Sequence, residues 1–589
     1  MPHVSGSSAN AIAPDTTGVN FFQVDRSLQA LLSLYLPGDL HRHVTPHLDR
    51  LGAMAGDRLD AAARLADRHP PVLHQRDRFG RDIQTIEYHP AYRELEQAAF
   101  GDFGIHALSH ARGIMGWPQT YPATAKHAFT YLFNQAEFGL GCPINVTDGA
   151  AMLLSRFGDP ALKAKYLPGL ITTDMARLTQ GAQFMTEKEG GSDVGSLTTV
   201  AKPEGGHFRL YGEKWFCSNA DAPVVMLLAR PEGAVMGTRG LGLFLMPRLL
   251  DDGSPNAYRI VRLKDKLGTR SMASGEIKLE GAIAYPVGRL DRGFVQMAEM
   301  VNWSRLNNGV KSTALMRRAL TDALAVAHGR FAFGKRVIEH PLARRQLLKM
   351  MLPLEQALSL CFMTADALDR AESATNPSQD AAALLRILTP VLKFRATRDA
   401  RKVCGDALEF RGGVGYIEVF APARLLRDAH LGSIWEGTGN IVALDAIVRA
   451  VGKHGAEGAL AAELHARIAA TDVLPVTYAD RLKDAVDKAV TLARHVAQTG
   501  SVEADARQAT SLLYHVASAV MLAWEGGQLG ARGGDARRLV LSRLVYEHRL
   551  AARDPLAPRS ALDEAALSAV LLGDAPCRFA DAHAMIARF

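Results

Sequence analysis

Apolar residues recur every three to four positions through most of residues 21–180, as in LDAAARLADR (59–68) and HPAYRELEQAAF (89–100). That spacing predicts amphipathic helices, and the turn signals RHPP, GWPQ and GCP separate them. Near residue 181 the texture changes. HFRLYGEKWFCSN, PVVMLLAR, LGLFLMPR, YRIVRLKD and GEIKLEGAIAY combine β-branched and aromatic residues, partial alternation and Gly-rich joints. They predict short strands. From 291 the helical period returns in LMRRALTDALAVAHGRFAFG and LLKMMLPLEQALSLCFMTADALDRA, with ESATNPSQD (372–380) as a loop between helices. It continues past 453 through ADRLKDAVDKAVTLARHVAQ and QATSLLYHVASAVMLAWEGG.

The expected organisation is a flexible leader (1–20), a helical domain (21–180), a central β domain (181–290), a second helical domain (291–452) and an additional helical domain (453–589). Strands gathered in one block point to a β domain between helical ones, not to a βαβ sheet. The Gly-rich pieces GGSDVGS (190–196) and RGGVGY (411–416) do not fit GxGxxG, which excludes a Rossmann reading.

Composition narrows the class. The chain has 589 residues, 48% hydrophobic and 22% charged, as expected of several packed globular domains. The longest apolar runs, VVMLLA and ALSLCFM, are too short to span a bilayer, so no membrane insertion is expected. The polar N-terminus carries no secretory pattern. Five scattered cysteines without a CxxC argue against a disulfide framework or structural zinc and for the cytoplasm. The net charge is +7, yet residues 453–589 are neutral, so the excess lies in residues 1–452. Within the last domain, residues 532–559 carry seven Arg against three acids, a modest basic patch.

Several stretches offer chemistry. FMTEKEGGSDVGSLTT (184–199) has hydroxyls and paired glycines that let backbone N–H groups approach a polar ligand; by composition alone it reads rather as a polar loop entering a β domain. EKWFCSN (213–219) places a Trp that could cover a flat ligand or fill a core. Arg330 could clamp a phosphate or be a solvated helix charge. Arg427 and Asp428 read as a structural ion pair. The His pairs 41/43 and 106/110 lack acidic or thiol company and read as non-metal. In SIWEGTGN (433–440), Glu436 is either a helix-start acid or a base.

Taken in order, MTEKEGGSD, KWFCSN, KDKLGTRSMASGEI, SRLNNG, GRFAFGK, LEFRGGVGY and SIWEGTGN resemble the acyl-CoA dehydrogenase family over roughly residues 85–452. MTEKEGGSDV, LKDKLG-x-RS-x-AS, SIWEG-x-GNI and the helical segment that follows look like its AidB, or alkylation-response, branch. The resemblance implies a mainly α fold with a central β domain: an N-terminal helical domain, a β-barrel-like middle domain, a C-terminal four-helix bundle and, here, a helical extension. It implies an FAD enzyme, usually a homotetramer, that oxidises an acyl-CoA to the 2,3-enoyl-CoA and passes electrons to an acceptor such as electron-transfer flavoprotein.

Residue by residue, the resemblance makes Glu436 the base that takes the α-proton, a role suited to a carboxylate in a dry site. Gly437 would lie by the thioester, Arg305 in the substrate pocket, and Ser192 against both diphosphate and substrate. Phe184, Met185 and Thr186 would line the flavin, and Trp215 would pack over its dimethylbenzene side. Thr438 and Asn440 would touch the diphosphate or adenosine side. Arg330, Phe333, Glu409 and Gly413 would reach the FAD of a neighbouring subunit. No metal is implied. There are departures. Cys217 replaces a Thr that bonds flavin N5 in many members, with Ser218 as its substitute, Glu409 replaces a Gln, and Ala332 replaces a frequent Thr. Two further functions stay open: a flavoprotein that binds DNA through residues 453–589 with little dehydrogenase activity, and an acyl-CoA oxidase.

Overall fold

The computed structural model describes residues 13–552, 554, 556 and 561–588. The chain divides into two compact units. A helical unit comprises residues up to Asp57, Ala123–Gln135 and Asn308 onward; a mixed unit comprises Arg58–Pro122 and Ala136–Asn307.

The mixed unit is organised around seven strands. Val224–Pro231 pairs with Gly242–Pro247, which pairs with Ser274–Pro286. That strand pairs with His207–Ser218, which pairs with Val200–Glu204, which returns to Val224–Pro231. The circuit closes, so the block is barrel-like and leaves few free edges. Gly181–Phe184 and Tyr258–Leu263 are added outside it. The continuous apolar run VVMLLA is buried at every position, as befits a strand covered on both faces. The core is made of Phe184, Leu210, Leu227, Phe244, Ile260 and Ile277 with their neighbours.

All five strands expected from the sequence are present, and two were not expected: Gly181–Phe184 and Val200–Glu204. They are only four and five residues long, and the second contains Pro203. The region expected to be helical also holds a hairpin, Val72–Arg76 with Asp82–Glu87. Its Gln84 accepts a hydrogen bond from the Ile260 amide at 2.8 Å, so the hairpin docks on the β block.

The helical unit contains the hairpin of helices Pro341–Ala371 and Gln379–Phe410, with Ser378 capping the second by accepting from the Ala381 amide at 3.1 Å. Contrary to the reading of short apolar runs, Pro341–Ala371 is long and apolar enough to cross a membrane, but 89% of its apolar window is buried inside the protein. It is a core helix. Of the expected leader, residues 1–12 lie outside the described residues, and 13–20 are packed: Thr16 is buried and its hydroxyl donates to Asp322.

A buried chain of charges runs through this unit. Arg317 meets Asp25 at 3.0 Å and Glu355 at 2.7 Å. Glu355 in turn accepts from Arg538 at 2.9 Å, and Arg538 also donates to Glu525 at 2.8 Å. Burial works against the charge on Glu355, yet Arg317 and Arg538 hold its carboxyl below the usual range. Glu525 and Arg538 belong to the extension, on helices Ala506–Ala531 and Arg537–Val545. The extension therefore shares the polar core of its unit.

Candidate functional site

In the mixed unit, the two segments expected to line a flavin lie side by side. The Trp215 amide donates to the Thr186 carbonyl at 2.9 Å. Phe184 is buried in the core, Met185 and Thr186 are half-buried, and Ser192 is exposed. Gly190, at φ +146°, has open space where a Cβ would stand. The loop is propped from behind by Glu187, which is buried. Its carboxylate accepts from the Lys214 ammonium at 2.6 Å and the Thr198 amide at 2.6 Å, and from the Thr199 hydroxyl. Burial opposes the Glu187 charge, but Lys214 and these donors hold its carboxyl below the usual range; burial pushes the Lys214 ammonium down.

A register irregularity between Lys214 and Cys217 turns both of those side chains inward and leaves Phe216 exposed. Cys217 consequently sits in the core with 1% exposure, and burial raises its thiol pKa. Its side chain offers no surface to a ligand. The accessible hydroxyl is that of half-buried Ser218, 3.3 Å from Ser274 Oγ. The Trp215 ring is half-exposed, with the Lys264 ammonium 3.4 Å from its centroid.

Arg305 is buried on the helix Gly293–Gly329, its Nη1 3.2 Å from Asn302 Oδ1. Two residues earlier on the same helix, Trp303 belongs to a polar cluster that sequence reasoning missed. Asp148 accepts from Trp303 Nε1 at 2.7 Å and lies 2.7 Å from His110 Nε2. His110 thus has the acidic company it was expected to lack. Among the described residues no group of three or more His, Cys, Asp or Glu could hold a metal.

In the helical unit, SIWEGTGN forms the turn between helices Ala421–Gly432 and Gly439–Leu444. Glu436 is half-buried with φ +55°, and Gly437 follows at +95°. A left-handed Glu costs roughly 1–2 kcal/mol and persists where its surroundings over-determine it. Here they do. Asn308 donates to the Gly432 carbonyl at 2.9 Å, Lys393 donates to the Gly437 carbonyl, and the Lys311 ammonium lies 4.5 Å from the Trp435 centroid. Both lysines are buried. Thr438 is exposed and makes no capping bond with its side chain; Asn440 is exposed and accepts from Arg507 at 3.0 Å.

Elsewhere in this unit, Arg330 is exposed, and a Cβ on Gly412 would stand 3.6 Å from its Nη1. Arg330 and the Glu409–Gly413 segment are therefore neighbours. Glu409 and Gly413 are exposed, and Phe333 tips a two-residue hairpin with 97% exposure. Arg427 pairs with Glu418 at 2.9 Å. Three arginines of the extension's basic patch are paired within the chain. Arg537 pairs with Asp535, Arg538 with Glu525 and Glu355, and Arg543 with Glu547 and Asp563. Arg553 and Arg559 lie outside the described residues.

The donor chemistry fits a flavin dinucleotide. The mixed unit offers an open hydroxyl-bearing loop suited to a diphosphate and a half-exposed indole suited to a flat ring. The helical unit offers Thr438, Asn440 and Arg330 as polar contacts.

Residues 182–282 match the acyl-CoA dehydrogenase middle domain, residues 291–452 the acyl-CoA dehydrogenase C-terminal domain, and residues 11–175 the N-terminal domain of the adaptive response protein AidB. A closed β block between helical segments, with these motifs at its loops, is an acyl-CoA dehydrogenase fold, and the chain belongs to the acyl-CoA dehydrogenase family, whose members are FAD flavoproteins. The AidB protein of Escherichia coli (strain K12) is 37% identical over 393 residues, 65% of this chain and 70% of that protein. Acyl-CoA dehydrogenase family member 11 of Caenorhabditis elegans is 31% identical over 437 residues, 73% of this chain and 70% of that protein. The structure of C. elegans ACDH-11 in complex with C11-CoA matches 93% of this chain and 94% of its own, with a TM-score of 0.84 and 27% identity.

Proposed function

We propose that this chain is an FAD-dependent acyl-CoA dehydrogenase in which Glu436 removes the α-proton of an acyl-CoA thioester. The observation that carries the reading is the left-handed backbone at Glu436, followed by Gly437. A non-glycine residue held in that region costs stability, and such strain clusters at active sites. The Gly437 backbone would approach the thioester oxygen without a side chain intervening, and the Glu436 amide would donate to that oxygen. Arg305 and Ser192 are assigned to substrate. Phe184, Met185, Thr186, Trp215 and Ser218 are assigned to the flavin, with Thr438 and Asn440 on its adenosine side. When bound, FAD would accept the hydride from Cβ.

The binding of C11-CoA by the C. elegans relative supports an acyl-CoA as substrate. Electron-transfer flavoprotein is the proposed acceptor. A homotetramer is proposed from the exposed Phe331, Phe333, Tyr416, Ile417 and Val419, an apolar face suited to another subunit, with Arg330, Glu409 and Gly413 directed to that neighbour's cofactor. The five free, buried thiols suit the cytoplasm. The paired arginines of the extension count against duplex DNA as its ligand.

The test adds acyl-CoAs of several chain lengths to the purified flavoprotein with an artificial electron acceptor. Bleaching of the flavin and reduction of the dye are expected with at least one of them. If no acyl-CoA does either, the reading fails.

A further inference from the structure

We propose that the helical extension completes a phosphate subsite at the SIWEGTGN turn, in which Arg507 and Arg398 hold a phosphate of the nucleotide that this protein binds. The inference rests on the reading of the chain as an FAD and acyl-CoA protein, and adds to it a task for residues beyond 452.

The turn carries one carboxylate, Glu436, and is ringed by cations. Lys311 faces Trp435, Lys393 holds the Gly437 carbonyl, and Arg401 Nη1 lies 3.3 Å from Ser433 Oγ. Arg507 donates to Asn440 Oδ1 at 3.0 Å, and a Cβ on Gly439 would stand 3.8 Å from Arg398 Nη1. Arg398 and Arg507 flank one aromatic ring, with their guanidinium carbons 5.7 and 5.9 Å from the Phe394 centroid. Neither pairs with a carboxylate among the described residues. Asp399, the acid beside them, is held by both ends of the Arg395 fork at 2.8 and 3.0 Å. Burial lowers the proton affinity of Arg398, and Arg507, Arg395 and Arg401 lower it further. Crowded like charges of this kind are unfavourable until an anion joins them.

The chemistry points to phosphate. Planar guanidinium forks match phosphate oxygens in pairs, and Arg507 spends one of its N–H groups on Asn440. The Thr438 hydroxyl, free of capping duty, is a further donor beside them. The Gly439 position leaves the backbone open towards Arg398. Arg507 is the second residue of the helix Ala506–Ala531, so this contact comes from the extension. A duplex nucleic acid would need a row of such groups, and Arg537, Arg538 and Arg543 of the extension are engaged by carboxylates of this chain. A small nucleotide needs only this one cluster. FAD and coenzyme A share the required phosphate chemistry.

The test uses the full-length protein, with variants Arg398→Ala, Arg507→Ala, their double and Arg507→Lys. FAD affinity is read by titrating flavin-stripped protein. CoA affinity is read by calorimetry on the holoprotein, with 3′-dephospho-CoA and ADP as further probes. The double variant is expected to weaken one of the two nucleotides by roughly tenfold or more, the size of a lost charge-assisted contact, with the thermal midpoint of the ligand-free protein little changed. A loss confined to FAD and ADP assigns the phosphate to the flavin; a loss confined to CoA, and smaller for 3′-dephospho-CoA, assigns it to the coenzyme. If the double variant misfolds, Arg507→Lys keeps the charge but not the fork, and a severalfold loss is expected from it alone. Unaltered affinity for both nucleotides overturns the proposal, as does a loss seen only with duplex DNA. A wild type that binds neither FAD nor CoA overturns the family-based reading as well; a wild type that binds both, with variants that do the same, overturns only this subsite.

Discussion

Two lysines with almost no solvent exposure, Lys214 in the mixed unit and Lys393 in the helical unit, stand behind the two halves of the candidate chemistry. Lys214 meets a charge. It neutralises Glu187, whose remaining capacity is taken by Thr198 and Thr199, and so fixes the loop that carries Met185, Thr186 and Ser192. Lys393 meets a backbone. It donates to the Gly437 carbonyl, at a turn where Glu436 and Gly437 are both left-handed. One loop is therefore held through side-chain charge and the other through backbone conformation. The first should fail electrostatically and with pH, the second sterically.

The difference can be broken most sharply at Glu436. Glu436→Gln keeps the turn and removes the base, so kcat is expected to fall by about 10²–10⁴-fold while FAD content is unchanged. Single-turnover flavin reduction by an acyl-CoA measures it; persistence of reduction at the wild-type rate would falsify the assignment. Next in size, Lys214→Met leaves the Glu187 carboxylate buried without its cation and should cost about 3–5 kcal/mol, read from denaturant midpoints. Adding Glu187→Gln to that variant should recover much of the loss; if the double is as unstable as the single, the pair is not what holds the loop. Gly437→Ala tests the other half. An alanine at φ +95° should cost about 1–2 kcal/mol or more and lower kcat, whereas the same change at half-buried Gly458, where a Cβ would meet open space, should do neither.

The smallest effect is the acid limb of stability. Glu187 has a folded pKa below its ordinary 4.5, so its contribution is present above that value and is lost as pH falls through the folded pKa. Glu187→Gln should flatten stability below about pH 4.5. An unchanged acid limb would mean that other carboxylates dominate it.

The legible parts of this molecule were those with a period. VVMLLA, GEIKLEGAIAY and the long apolar helices declared themselves, because burial on a face or on both faces leaves a repeat in sequence. Gly181–Phe184 and Val200–Glu204 did not, since four or five residues hold too little of a period, and Pro203 argued against a strand. The hairpin at 72–87 was hidden by its charges. In the candidate site, Glu436 was marked by its ordered neighbouring motifs and not by its own surroundings. Its supports were invisible. Lys311, Lys393, Arg398 and Arg507 lie in three helices, 38–125 residues from it, and helical spacing reports a face without naming what the face meets. One signal was available: Lys393 interrupts the apolar stretch TPVLKF, where a buried ammonium must find an acceptor. Cys217 misled for a related reason. Strict alternation from Trp215 would give the two side chains one environment, and the register irregularity gives them different ones.

The helix Ala506–Ala531 has a consequence for how far this chain can be taken apart. Arg507, near its start, touches Asn440, and Glu525, about 27 Å along at 1.5 Å per residue, shares Arg538 with Glu355. A protein cut after residue 452 would keep every segment that matches a family model and still lack both attachments. Glu355 would lose one of its two guanidinium partners, and Asn440 would lose the group that orients it. The last 137 residues are thus tied both to the SIWEGTGN turn and to the polar core of the helical unit, and grafting or trimming them removes contacts on which both regions rest.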